Sequence, residues 1–458
     1  MFENILGQEA VIRLAEDIRH DILAPSMLFR GPRASGKGTA ALELSRVLSC
    51  EKPGLNKPWK CSCPACHHHR FLYHPDLLAL GSRLFSAEIA AAAAAFTLCP
   101  SDAAVRALYI RAIRKLVLRF SPVLWEDEPK AGKLAPILTA LEGDLDEILA
   151  RHEGEAEAGS PKDIKWAEKI VKSIGKNALN LEAEGIADFI PVGQIRRAAY
   201  WSRLAPQGKR KLLLIENADR MQDASRNALL KILEEPPDDT VIVLTTAHGD
   251  ALLPTILSRL RPYRFHLRSP ETEKEVLRRV FRAGTAASGK EASIGGYLDS
   301  FLPVSGEALY PLAAFFAASA AYRGARALFG AGLSSLPAEL EALGKYAAGI
   351  AEKAGLERRA GDTGACVTAV LKGAEDFKAP GLFAQFLGAL LSVISGGLRN
   401  VPPSPGGAAF ADIWRKAASE AALAAGTYNQ TPALVLDRLC TELTRRMTAL
   451  YRAPSTAP

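Results

Sequence analysis

Three apolar runs stand out in the first 250 residues, each bounded by polar or turn-forming residues: SMLFR (26–30), the start of KLLLIENADRM (211–221), and VIVLTT (241–246). Short apolar runs of this kind predict strands of a buried parallel sheet, covered on both faces. The second run ends in acid, at Glu216. Between the second and third lies SRNALLKILEEPP (225–237), whose Ala228, Leu229, Ile232 and Leu233 repeat at helical spacing until Pro236-Pro237 stops them. A strand–helix–strand unit with a carboxylate at the tip of its first strand suits a sheet that handles nucleotides. Over about 84–188 the period becomes helical, in EIAAAAAAF, AVRALYIRAIRKLVLRF, APILTALEGDLDEILARH and DIKWAEKIVKSIGKNAL. Three or four amphipathic helices are expected there, with EGEAEAGSPKD (153–163) as a polar hinge. The basic stretch RAIRKLVLRF (111–120) is read as a helix turning its charges to solvent. From about 270 the pattern is helical to the end: ETEKEVLRRVFRA, AELEALGKYAAGIAEKAGL, GLFAQFLGALLSVISGGL and TPALVLDRLCTELTRRMTALYRA, with VPPSPGG (401–407) as a loop.

The first predicted strand leads into GPRASGKGT (31–39) and then the helical run AALELSRVL. Gly31, Gly36 and Lys37 match G-x-x-x-x-G-K in the strand–helix context that the motif demands. The glycines let the backbone curl so that its N–H groups converge on phosphate oxygens. The helix N-terminus adds partial positive charge, and Lys37 adds a full one. The Ser or Thr expected after the lysine, as a magnesium ligand, is replaced by Gly38, with Thr39 one step late.

Composition narrows the class without deciding it. A chain of 458 residues is too long for one core, and two to four domains are expected. Apolar residues at 48% and charged ones at 23% are ordinary for a globular protein. No apolar stretch reaches the ~18 residues of a membrane helix. The nearest, FAQFLGALLSVISGGL (383–398), reads as a buried helix, and MFENILGQEA lacks the order of a secretory signal. A cytoplasmic protein without membrane contact is therefore expected. A net charge of +7 permits contact with nucleic acid but is too diffuse to argue for it. Four of the seven cysteines crowd into 17 residues: Cys50, Cys61, Cys63 and Cys66. In a reducing compartment such a cluster points to metal rather than disulfides, and four thiolates close a tetrahedral structural zinc site. The C-x-C-x-x-C spacing leaves the fourth ligand open between Cys61 and one of His67, His68 or His69.

The wording N-A-L-L-K-x-L-E-E-P-P closely resembles the AAA+ clamp-loader subunits of bacterial DNA polymerase III, the delta-prime and gamma/tau proteins, and the first 270 residues extend the resemblance. It implies an α/β AAA+ P-loop domain over 1–270, a small helical lid over 271–334 and a C-terminal helical collar over 335–458 that oligomerises. HPDLLAL (74–80) resembles the family's next strand, PVGQIRRAAYWSRL its following helix, and the stretch 84–188 is then a large helical insertion. A zinc module over 50–66 is part of the resemblance. Nucleotide contacts are implied for Gly31, Gly36, Lys37, Gly38 and Thr39, and for Thr245 and Thr246 as the polar sensor. Glu216 takes the place of the magnesium-binding acid. The family's second acid, which orients the attacking water, is here Asn217, and an amide cannot accept a proton as a carboxylate does. Gly38 and Asn217 both weigh against bound ATP/Mg2+ being hydrolysed, so a weak or silent ATPase is expected. LLPTILSRL (252–260) resembles the element whose arginine reaches a neighbouring subunit's nucleotide, which makes Arg259 an arginine finger in trans. The implied partners are gamma/tau and delta subunits and, through the complex, the sliding clamp and primed DNA. This reading favours delta-prime. The alternatives are the gamma/tau motor, another AAA+ DNA-remodelling ATPase, and a zinc-bound scaffold that holds nucleotide structurally.

Overall fold

The computed structural model describes the chain apart from residues 127, 152–160, 188, 248, 284–292, 302–305, 357–381, 400, 403, 428–431 and 453–458. It divides into two compact units, 1–301 and 302–458. The first is built on one parallel sheet: β1 Ser26–Arg30, β2 Leu77–Gly81, β3 Lys211–Glu216, β4 Thr240–Thr246 and β5 Arg261–Arg264, in the order β2-β3-β4-β1-β5. The three expected runs are β1, β3 and β4, and HPDLLAL supplies β2. β3 and β4 are buried at every position, as a sheet covered on both faces requires. Registers such as Leu28↔Leu244, Leu214↔Val243 and Gly81↔Glu216 bring the C-terminal ends of β1, β2 and β3 to one edge. Ligands of open α/β sheets bind at that edge.

Helices α1 (Glu9–Arg19), α2 (Lys37–Ser49) and α3 (Pro64–Arg70) occupy the N-terminal part of this unit. The insertion follows as α4 (Ser86–Leu98), α5 (Ala103–Val117), the short α6 (Pro122–Trp125), α7 (Ala131–Ala150) and α8 (Pro161–Gly185). These helices have a core of their own, including Ile89, Phe96, Tyr109, Ile113, Leu145 and Ile174. Of the expected hinge, 153–160 lies outside the described residues, and 161–163 open α8. Next come α9 (Val192–Arg203), α10 (Asp223–Glu234), α11 (Pro254–Leu257), α12 (Pro270–Val280) and α13 (Ile294–Asp299). α10 carries the quoted motif, and its buried Leu229, Ile232 and Leu233 pack on one side of the sheet with Leu213, Ile215 and Ile242.

The second unit contains helices α14 (Gly306–Gly330), α15 (Ala338–Lys353), α16 (Leu382–Leu398), α17 (Pro405–Thr427) and α18 (Pro432–Arg452). They share a core that includes Phe316, Leu343, Phe386, Phe410, Trp414 and Leu443. The apolar stretch 383–398 is α16, whose Phe386, Leu390 and Val393 are wholly buried in that core. Among the described residues no helix is long and apolar enough to cross a membrane.

Candidate functional site

The phosphate loop has the expected form. β1 ends at Arg30, the chain turns at Gly31, and α2 begins at Lys37 behind Gly36, which is left-handed at φ 97°. Gly31 lies so close to β5 that a Cβ there would strike the Phe265 carbonyl oxygen. Arg268 fastens the loop from outside, donating to the Ala34 carbonyl at 2.8 Å and the Leu6 carbonyl at 2.9 Å. Lys37 Nζ folds back over the loop, donating to the carbonyls of Gly31 and Pro32 at 2.6 Å each. Burial, then the charge of Arg83, pull its pKa down to about 8 against the opposing pull of Glu216 and Asp219. Thr39 is exposed one residue beyond Gly38 in the first turn of α2.

Glu216 at the tip of β3 is buried, not solvated. Its two carboxylate oxygens accept from two guanidinium groups: Oε1 from Arg83 at 2.9 Å and Oε2 from Arg119. Burial pushes this carboxyl's pKa up, but Arg83 and Arg119 outweigh that and hold it below the ordinary value. Arg83 also pairs with Glu88 at 2.6 Å, and Glu88 in turn accepts from Lys115. Both guanidinium carbons lie over the Phe85 ring, Arg83 at 4.8 Å and Arg119 at 5.2 Å from its centroid. Gly38 abuts this network: a Cβ there would sit 2.6 Å from Glu216 Oε1 and 3.1 Å from Arg83 Nη1. A Ser or Thr there would have to push the ends of the Glu216 and Arg83 side chains aside.

A magnesium ion does not fit these residues. Such an ion is held by carboxylate and hydroxyl oxygens together with phosphates. Here position 38 offers no hydroxyl, and both oxygens of the one acid already face guanidinium groups that would repel a dication. Asn217 follows in a left-handed conformation, φ 56°, as the first residue of a tight turn. Of the two threonines expected as a sensor, Thr246 donates to Asp219 Oδ1 at 2.6 Å, and Thr245 is buried beside it.

Sequence reasoning missed the arginines, and it misjudged the basic helix. Arg111 and Lys115 are four residues apart on one face of α5, and Arg119 follows four further on, in the 3-10 turn Leu118–Phe120 that ends the helix. That face turns inward: Arg111 donates to the His69 and Arg70 carbonyls, Lys115 to Glu88 and Arg119 to Glu216. Arg114 lies over the Tyr73 ring at 5.2 Å. The charges are not spent on solvent because the helical insertion packs over the end of β2, where buried carboxylates need partners. The i, i+4, i+8 spacing was the available signal.

The four clustered cysteines come together at the far end of α2. Cys50 caps the helix, Cys61 and Cys63 lie in the following loop, Cys66 is in α3, and all are buried with their sulfurs within 4.8 Å of one another. Cys50 and Cys61 are 3.8 Å apart, and Cys61 and Cys63 3.6 Å. A tetrahedral zinc with bonds of ~2.3 Å has sulfur–sulfur edges of about 3.8 Å, so the donor set and spacing fit that ion. Among the described residues no histidine joins this group: His67 bonds the Tyr73 hydroxyl at 2.9 Å, and His69 stacks on His74 at 4.0 Å. The four cysteines are thus the donor set that the structure brings together. Cations lie against the cluster: Arg46 donates to Cys66 Sγ at 3.1 Å and Lys209 to the Cys50 carbonyl at 2.8 Å. Burial raises the Cys63 thiol, but N–H groups of Cys66 and Glu51 bring it down to about 6. Such a closed shell is structural, with no position for substrate.

Arg259 follows α11 on the surface, one-third exposed. It pairs with the half-exposed Glu234 at 2.7 Å and donates to the Thr255 carbonyl at 2.6 Å. Glu234 closes α10, so the finger candidate rests against the motif helix of its own chain.

A parallel α/β sheet with a strand–loop–helix phosphate cradle, an acid on the second of its central strands and a cysteine module after the first loop helix defines a P-loop protein of the AAA+ class. The chain belongs to the family described as DNA polymerase III, delta subunit, which matches residues 7–121 and 151–269, more than half of the chain. The DNA polymerase III subunit gamma/tau of Mycobacterium tuberculosis is 30% identical over 139 residues, covering 29% of this chain and 24% of that protein. The delta' subunit of Pseudomonas aeruginosa is 37% identical over 105 residues, covering 23% of this chain and 32% of that one. The chain thus spans about a quarter to a third of the length of these curated relatives. A gamma subunit-related protein of Thermotoga maritima aligns over 57% of this chain and 81% of its own at 21% identity, with a TM-score of 0.24, too low to bear on the fold.

Proposed function

We propose that this protein is a clamp-loader subunit of a DNA polymerase III holoenzyme, of the delta-prime kind. In the cytoplasm it would help load a sliding clamp onto primed DNA together with gamma/tau and delta subunits. The observation that carries the reading is the pairing of a phosphate loop whose cation position is filled by Arg83 and Arg119 with an arginine, Arg259, held at the surface. A subunit of this design is expected to do little chemistry at its own site and to act on its neighbour's, where a guanidinium stabilises charge developing on a transferred phosphoryl group. The gamma/tau motor is the second reading, and the filled cation position weighs against it. On the proposed reading, 271–334 is the lid and 335–458 the oligomerising collar. One zinc ion is held by Cys50, Cys61, Cys63 and Cys66, and it braces the far end of the helix that begins at Lys37.

Purification of the tagged protein from its own cells tests this. Co-purification of polymerase III and clamp-loader proteins is expected. Recovery of the protein without them, or ATP turnover by the isolated chain at about 1 per second, the lower range of working enzymes, that Lys37→Ala abolishes, would overturn the assignment.

A further inference from the structure

The acid and the residue after the lysine, which in a P-loop serve a metal, here serve two arginines. We propose that Arg83 and Arg119 stand in for the divalent cation, so that this loop binds a nucleoside di- or triphosphate without metal. The proposal rests on the phosphate-loop reading, and it concerns the ligand's form rather than the assembly that the chain joins.

Four observations support it. First, the phosphate cradle is intact: Gly31 and Gly36 hold their turns, Lys37 is in place, and the chain's one acid at the strand tip is present. Second, both guanidinium groups meet on the carboxylate that Gly38 abuts, which puts their charge where a cation bridging acid and phosphate would lie. Third, Arg119 is underused. Its side chain is only 4% exposed, and its Nε and Nη1 have no hydrogen-bond partner, although buried donors of a charged group are rarely left unpaired. Fourth, charge is left over. Around the loop, Lys37, Arg83, Lys115 and Arg119 face Glu88, Glu216 and Asp219, with Glu182 a fourth carboxyl whose protonated form burial favours. A polyphosphate supplies the missing negative charge and acceptors for Arg119. Arginine suits this role because its fork presents several donors to phosphate oxygens and keeps its proton at neutral pH, since burial brings Arg119 only down to about 10. Both arginines belong to the helical insertion or its entry, which gives that region a task at the nucleotide site.

Binding of fluorescent ADP and ATP to the full chain, in EDTA and in magnesium, tests the proposal. Affinity in EDTA should fall by less than about tenfold (~1.4 kcal/mol) relative to magnesium. Lys37→Ala should abolish binding. Arg83→Met should weaken metal-free binding by tenfold or more, and Arg119→Met by a similar factor. Circular dichroism checks that each variant is folded, and Arg83→Gln serves where a methionine variant is not. A requirement for magnesium, equal metal-free binding by a folded Arg83 variant, or no binding of either nucleotide in either buffer would each overturn the proposal. The last result would make the network a structural plug. None of these outcomes touches co-purification with clamp-loader proteins, so failure here and failure of the functional assignment are separable.

Discussion

Glu216→Gln is the substitution that distinguishes this site from a metal-dependent one most directly. In a phosphate loop built for magnesium, neutralising the strand-tip acid removes a metal ligand and leaves the ligand-free fold largely alone. Here it removes the carboxylate that pairs with Arg119, whose guanidinium is buried. Arg83 keeps Glu88. Removing one member of a buried pair costs about 3–5 kcal/mol, because the other charge stays buried without compensation. At about 2–4 °C per kcal/mol for domains of 150–250 residues, the first unit should melt roughly 6–20 °C lower. Intrinsic fluorescence reports mainly on that unit through Trp59, Trp125, Trp166 and Trp201, with Trp414 in the other. The double variant Glu216→Gln/Arg119→Met should regain most of the loss, since replacing both partners of a buried pair with uncharged groups is often near neutral. Titration should mirror the mutation. The carboxyl is depressed in the folded state, so its stabilisation is complete above the ordinary value of about 4.3 and is lost as pH falls through the lower folded value. A single variant within about 1 kcal/mol of the parent, or a double variant no better than the single, would refute the guanidinium account.

Elemental analysis should find one zinc per freshly prepared chain. Cys63→Ser should lose the metal and destabilise the first unit, whereas substitution of His67 or His68 should leave zinc content unchanged; full zinc in Cys61→Ser would mean that a histidine can serve. Arg259→Ala breaks an exposed pair and a surface hydrogen bond to the Thr255 carbonyl, so its stability should fall by no more than about 1 kcal/mol. In a reconstituted complex it should nonetheless lower the clamp- and DNA-stimulated ATPase by the share of one interface, and undiminished ATPase in a fully assembled ring would rule out the finger. Lys37, depressed to about 8 by burial and Arg83, should take up a proton when a polyphosphate binds. Metal-free affinity should then be highest below about pH 8 and decline above it, and a flat profile between about pH 7 and pH 9 would count against Lys37 as a phosphate contact.

The parts of this protein legible from sequence are those made by contiguous residues. The phosphate loop is one strand, one turn and one helix start, so residues 26–49 carry its geometry among themselves. The cysteine cage is nearly as local, since 17 residues bring its ligands together and leave only the choice between Cys61 and a histidine to the fold. Apolar runs marked β1, β3 and β4 because a strand covered on both faces has no polar side to show. The Glu216 site was not legible because its parts come from three distant places. Arg83 and Glu216 are 133 residues apart, and Arg119 and Glu216 are 97 apart. The Gly81↔Glu216 register carries Arg83 past the acid, while the packing of the insertion over β2 delivers Arg119. The 111–115–119 spacing marks one helical face, but helical periodicity is the same whether that face meets water or a buried carboxylate. Tertiary packing made it face the acid, and with that contact a position suited to a metal became one held by arginine.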